Sequence, residues 1–308
     1  MNLQKKPQFN PRKNLAAVIK TKQLRITTLQ SKKILKRLNS NHLEINALKS
    51  SMVKFLACLF LLISSTAFKN KTIPIFGNGF KNKDGKELVS FKSEEFKLFT
   101  RNIFQNISYE SNQDTIPFEP FALALRGFMH LKHTQELTDT QHITIIDFSK
   151  YCNKKRLWVL DLVNQKVKIN EWVAHGKRSG NEYANTFSNR YNSQQSSLGF
   201  FVTGGTYWGR NKFSLKLHGL EKSFNSNAFS RGIVVHGANY ISASIVNRNE
   251  RIGRSFGCPA VSKSSNNKII NTIKGGSCLF IYHPSSYYLN NSEILNTDLY
   301  LTIEDLVI

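Results

Sequence analysis

A mainly β fold, a sandwich or barrel with a few peripheral helices (α+β), is what this sequence predicts, and three observations predict it. Between 143 and 282, seven short apolar runs rich in β-branched and aromatic residues follow one another, each closed by turn residues. Two of them flank Asn164-Gln165 closely enough to form a hairpin. Only two stretches show the three- and four-residue apolar spacing of a helix.

In chain order the first helical stretch runs from Pro117 to Leu131 and places Phe118, Phe121, Leu125, Phe128 and Leu131 along one face. The β-type runs cover 143–148, 157–162, 167–174, 198–202, 213–217, 233–236 and 277–282, a spacing that suits mostly antiparallel pairing. The second helix covers 266–273 and stops at Gly275-Gly276, where glycine takes the left-handed conformation that ends helices. No internal repeat is present. Residues 68–114, rich in Lys, Asn, Ser and Gly with scattered Phe, read as a linker or loose extension, 115–296 as the main folded domain, and 297–308 as a C-terminal tail.

The chain has 308 residues and a formal net charge of +23, which invites a nucleic-acid reading. The charge is uneven. Residues 1–51 hold twelve Lys or Arg against Glu44 alone, so nearly half of the excess lies in this basic leader. Met52-Val53-Lys54 then opens an apolar run that ends in Ser64-Ser65-Thr66-Ala67, the pattern of a signal peptide over 52–67 with cleavage near Ala67. The run is too short for a membrane span. Translation is expected to start at Met52, so that the leader is not natively made, the protein is exported to the periplasm or cell envelope, and contact with a membrane is confined to export. Without both segments the nucleic-acid reading loses most of its support.

Cys152, Cys258 and Cys278 remain after cleavage, an odd number that leaves one thiol free or paired with another chain. No CxxC and no zinc-finger spacing occurs, which points away from a structural metal. The chemistry-bearing stretch is Arg231-Gly232-Ile233-Val234-Val235-His236-Gly237-Ala238, followed by Gly253-Arg254-Ser255-Phe256-Gly257-Cys258-Pro259-Ala260-Val261. A histidine ends an apolar strand and a cysteine sits on a glycine-flanked loop. Thiol catalysis needs a base or positive surroundings, which His236 and Arg254 can supply. Pro259 has no N–H, so a backbone oxyanion hole must use the amides of Phe256, Gly257 and Cys258. Read alone, the same residues also fit a small buried cysteine and a satisfied strand-end histidine, and the two readings stay open.

The block from about Phe121 to Asn296 resembles the murein L,D-transpeptidase catalytic domain, in the branch whose nucleophile motif reads S-x-G-C-P-A-V. The resemblance rests on Ile145-Ile146-Asp147-Phe148-Ser149, on Val173-Ala174-His175-Gly176-Lys177-Arg178-Ser179-Gly180 and on Ser196-Ser197-Leu198-Gly199. It continues through Ser214-Leu215-Lys216-Leu217-His218-Gly219-Leu220-Glu221, the His236 and Cys258 segments, and Ile273-Lys274-Gly275-Gly276-Ser277. It implies that Cys258 attacks the third residue of a peptidoglycan stem tetrapeptide, expels D-alanine, and passes the acyl group to an amine of a second stem or of an anchored lipoprotein. His236 would be the base, and carbapenems would acylate the same thiol. Neither metal nor cofactor is implied.

One departure is Phe256, where most of the family outside this branch has a histidine. Arg254, Arg231 and Gly237 belong to the expected substrate-binding surroundings, with exposed charge as the alternative for the two arginines. Ser255 caps the loop, and Tyr207 with Trp208 reads as core or rim packing or as a groove wall for the peptide. His175 reads as turn architecture, with a second functional histidine as the alternative. Competing functions are an L,D-carboxypeptidase that uses water and a non-catalytic murein-binding envelope protein.

Overall fold

Phe96, Thr100 and Ile103 recur at helical spacing and face inward, and Ser93 accepts the Phe96 N–H at 3.2 Å as an N-cap, so 94–106 is a helix. A computed structural model describes residues 82–248 and 250–306. The basic leader, the signal-peptide segment and the start of the extension, 68–81, lie outside the described residues. Strand β1 (Leu88–Ser90) and helix α1 (Glu94–Asn106) replace the expected loose extension. The expected C-terminal tail supplies strand β11 (Tyr300–Thr302), which pairs antiparallel with β1. The Lys/Asn-rich composition of these segments hides buried Phe91, Phe96, Ile103 and Leu301.

Helix α2 (Phe118–His133) forms where the periodicity places it and buries Phe121, Ala124, Leu125, Phe128 and Leu131. The main sheet uses β2 (His142–Asp147), β3 (Leu157–Asp161), β4 (Lys166–Glu171), β5 (Val173–Ala174) and β6 (Gly199–Gly209). It is completed by β7 (Lys212–Gly219), β8 (Val234–Ala238), β9 (Ala260–Ser262) and β10 (Cys278–Tyr282). Helix α3 (Ala243–Asn247) lies in the β8–β9 connection, α4 (Lys263–Ile273) follows β9, and α5 (Ser286–Asn291) and α6 (Glu293–Asn296) follow β10.

Strand order is β4-β3-β2-β10-β6-β7-β8-β9-β5. Its two edges, β4 and β5, are one residue apart in the chain, so the sheet comes back on itself and nearly closes. The fold is mainly β, as expected, and the β3–β4 hairpin turns at Gln165, whose φ is +47°. Pairing is antiparallel except at β2–β10 and β8–β9, which are parallel. The single run expected over 167–174 is divided because the chain leaves one edge of the sheet and joins the other. Strand β9 was hidden by Pro259, which starts it without needing a ladder donor.

Candidate active site

The parallel β8–β9 pairing positions the site. His236 lies opposite Ala260, and Val234 lies two residues earlier on β8, as Cys258 precedes Ala260 by two. Alternation along β8 sends Val235 into the main core and turns Val234, His236 and Ala238 to the other face. The Cys258 thiol, partly exposed at the end of its loop, accepts the Val234 N–H at 3.5 Å and faces the Gly232 carbonyl at 3.6 Å. Burial pushes its pKa up, against the Val234 amide and the Arg231 charge, which draw it down.

The buried His236 ring has Nδ1 3.2 Å from the Gly237 carbonyl. A carbonyl only accepts, so Nδ1 carries the proton and Nε2 keeps its lone pair. The Gly237 carbonyl thus orients the ring. Burial lowers the His236 pKa, and that carbonyl offsets part of the effect. No hydrogen bond joins thiol to imidazole among the described residues; the pair rests as neutral thiol, on the loop that leads into β9, and neutral imidazole, on β8.

The loop carrying Cys258 is held from several sides. Ser255 donates its N–H to the His175 carbonyl at 3.0 Å and accepts from the Lys177 N–H at 2.7 Å. Its hydroxyl donates to the Cys258 carbonyl at 2.6 Å and accepts the Gly257 N–H at 3.0 Å, the loop-capping role expected. Ser196 Oγ donates to the Gly257 carbonyl at 3.1 Å and accepts the Gly176 N–H at 3.0 Å. Gly257 has φ +125°, and a Cβ there would lie 2.8 Å from the Gln195 carbonyl, so only glycine fits. The Gly257 amide, one of the three donors expected for an oxyanion hole, is taken by Ser255, whereas the amides of Phe256 and Cys258 have no acceptor among the described residues.

Beneath this loop Arg156 is fully buried, donating to the Val173 carbonyl at 3.1 and 2.9 Å and to the Lys150 carbonyl at 2.6 Å. Its Nη2 lies 2.9 Å from His175 Nδ1, which must accept, leaving Nε2–H toward the Gly180 carbonyl at 3.3 Å. Burial, then the Arg156 charge, lowers the His175 pKa to about 4. His175 is therefore a neutral support for the turn. Arg156 carries no sequence signal of this role, because it acts through the carbonyls of Lys150 and Val173 and the ring of His175, which only the fold brings around it.

The arginines expected near substrate are committed to the backbone. Arg231 donates to the Ser188 carbonyl at 2.7 Å, Ser197 Oγ at 2.6 Å, Ser193 Oγ at 3.1 Å and the Gln195 carbonyl at 2.7 Å. It clamps the 188–197 loop, and its charge reaches Cys258 from there. Arg254 Nη1 donates to the Gly180 carbonyl at 2.7 Å and the Lys177 carbonyl at 3.2 Å. Gly237 is packed against α4, where a Cβ would lie 3.1 Å from that of Asn266.

Phe256 is 70% exposed and, with Ile233, Arg231, Asn192 and Gln194, lines a cavity of about 360 Å³ beside the loop that carries Cys258. Tyr207 pairs with Ser214, and Ser214 with His236, so one row of the sheet connects the tyrosine to the histidine. Lys216, paired with Val234, holds its ammonium 5.8 Å from the Tyr207 ring centroid. Trp208 stands exposed at the tip of the same hairpin. Among the described residues no three His, Cys, Asp or Glu side chains form a set of metal ligands.

Several solved structures are similar to parts of the chain. An L,D-transpeptidase from Mycobacterium smegmatis is 12% identical, with 46% of this chain and 59% of that one covered at a TM-score of 0.30. The helical cell shape determining protein Pgp2 from Campylobacter jejuni is 11% identical, covering 51% and 56% at 0.30. An L,D-transpeptidase from Xylanimonas cellulosilytica is 16% identical, covering 68% and 100% at 0.28. The chain thus spans about three fifths of the length of the mycobacterial protein. No curated protein matches it. Residues 112–282, more than half of the chain, match the family described as the L,D-transpeptidase catalytic domain. With the β fold and the His236–Cys258 arrangement, this match places the chain in the L,D-transpeptidase catalytic-domain family.

Proposed function

We propose that the protein is an exported cysteine acyltransferase of the cell wall. Cys258 attacks the carbonyl of the third residue in a peptidoglycan stem tetrapeptide, forming a thioester as the amide bond to the terminal D-alanine breaks. His236 Nε2 takes the thiol proton and returns it to the leaving amine. An amine from a second stem, or from an anchored lipoprotein, then attacks the thioester, gives its proton to His236, and leaves Cys258 as a thiol once more. Developing negative charge on the carbonyl oxygen falls to the amides of Phe256 and Cys258, each worth about 3 kcal/mol of barrier.

The observation that carries this reading is the parallel β8–β9 pairing, which sets the Cys258 loop against the strand bearing an oriented His236. Both groups rest neutral, so proton transfer accompanies attack and the thiol is not stored as a thiolate. The position of Phe256, whose amide is unpaired while its ring lines the cavity, suits a residue that acts through its backbone and shapes the entrance with its side chain.

Incubating the protein with disaccharide tetrapeptides tests the reading. Release of D-alanine with cross-linked dimers is the expected product pattern. Tripeptides alone would make water the acceptor and the enzyme a carboxypeptidase, and absence of D-alanine release would leave only the non-catalytic envelope reading.

A further inference from the structure

Helix α4 turns Asn266, Ile269, Ile270 and Ile273 inward at the spacing of one buried face. The three isoleucines belong to the main core, and Asn266, only 6% exposed, is the polar exception among them. Its Nδ2 donates to the Phe213 carbonyl at 2.8 Å, whereas its Oδ1 is buried without a hydrogen-bond partner among the described residues. A buried amide oxygen without a donor lowers stability, and an apolar side chain of similar size would fill the space without that loss.

What Asn266 touches lies directly behind the base. The β7–β8 ladder ends where Ser214 pairs with His236, and the preceding carbonyl on β7, that of Phe213, is the one Asn266 holds. The residue after His236 is Gly237, where a Cβ would lie 3.1 Å from Cβ and 3.2 Å from Cγ of Asn266. By strand alternation that contact is on the face opposite the His236 ring. Gly237 in turn supplies the carbonyl 3.2 Å from His236 Nδ1. Burial lowers the pKa of the ring, that carbonyl raises it, and no charged side chain among the described residues acts on it. Lys263, whose Cα also adjoins Gly237, is exposed, and Lys216 on β7 is turned to the rings of Tyr207 and Phe229.

We infer that Asn266 is a positioning residue for the base, holding the Gly237 peptide where its carbonyl keeps Nε2 of His236 free to take the Cys258 proton. The inference rests on the proposed function and adds a residue that acts on its base from behind, without touching substrate. Because Nδ2 is committed to Phe213, the carboxamide cannot turn over, and Oδ1 stays as the negative end of a fixed dipole beside Gly237. A dipole held in place before the reaction favours the positive charge that the ring gains during it.

The test compares the full chain with Asn266→Leu and Asn266→Ala. Protonation of His236 is read by NMR of the imidazole, and acylation of Cys258 by a carbapenem is followed against pH by intact mass. In both variants the ring should titrate at lower pH than in the unaltered protein, and acylation at the optimum should slow at least about 10-fold. Asn266→Ala adds no volume and carries the test if leucine is not accommodated. An unshifted His236 titration would overturn the inference whatever the rate, since an asparagine that only braces the fold slows the enzyme without altering its base. Unchanged acylation beside a shifted titration would overturn it too. If the unaltered protein forms no adduct, the proposed function fails, and the His236 titration alone still decides the role of Asn266.

Discussion

Burial acts in opposite directions on the two groups that would exchange a proton: it raises the pKa of Cys258, where the neutral form is the acid, and lowers that of His236, where the neutral form is the base. Near neutral pH the favoured resting state is thus uncharged on both. Alkylation of Cys258 by iodoacetamide, followed by peptide mass, should rise with pH through a midpoint above the ordinary thiol value of about 8.5. A midpoint below 7 would mean a preformed thiolate–imidazolium pair and contradict this geometry. Cys258, His236 and the hydroxyl of Ser255 stand out in the sequence because motif order and glycine placement mark them. The clamp made by Arg231 was not, since its acceptors lie 34 to 43 residues away and are carbonyls and hydroxyls that any residue or any serine supplies.

Elements were legible where periodicity was strong and were missed where composition or proline masked it. Helix α2 and the β3–β4 hairpin formed as their apolar spacing dictates. Helix α1 had a Ser93 cap and Glu94-Glu95 in its first turn, but Lys and Asn around it suggested a linker. Strand β9 is three residues long and starts directly after Pro259, so no alternation could reveal it. Helix α2 also makes a close approach that spacing does not announce: a Cβ at Gly127 would sit 2.0 Å from Cζ of Phe200, whose buried ring stacks on Phe280 at 4.3 Å. Alanine in an open helix position would add about 1 kcal/mol of stability. Here Gly127→Ala should instead lower it by about 2 kcal/mol through overpacking. Urea unfolding checks the sign, and a gain would show that α2 stands off the sheet.

At the scale of the whole molecule, the two ends of the described segment meet in one ribbon. Strand β11 pairs with β1, and buried Leu301 and Phe91 lie on that ribbon, so removing 297–308 leaves apolar surface uncovered. The truncated chain should unfold roughly 5 °C lower or more, read by circular dichroism. An unchanged midpoint would make the ribbon an ornament of the fold. The same global view explains why topology exceeded what the sequence could disclose: parallel pairing of β8 with β9 needs the crossover through α3, and only that crossover brings the loop of Cys258 beside the strand of His236. The central claim is that this crossover builds a working thiol–imidazole pair. Intact mass of the protein after exposure to a carbapenem measures it most directly. One adduct is predicted on the Cys258 peptide, absent in Cys258→Ala and formed at least about 100-fold more slowly in His236→Ala. An adduct that survives Cys258→Ala, or no adduct on the unaltered protein, would contradict the account.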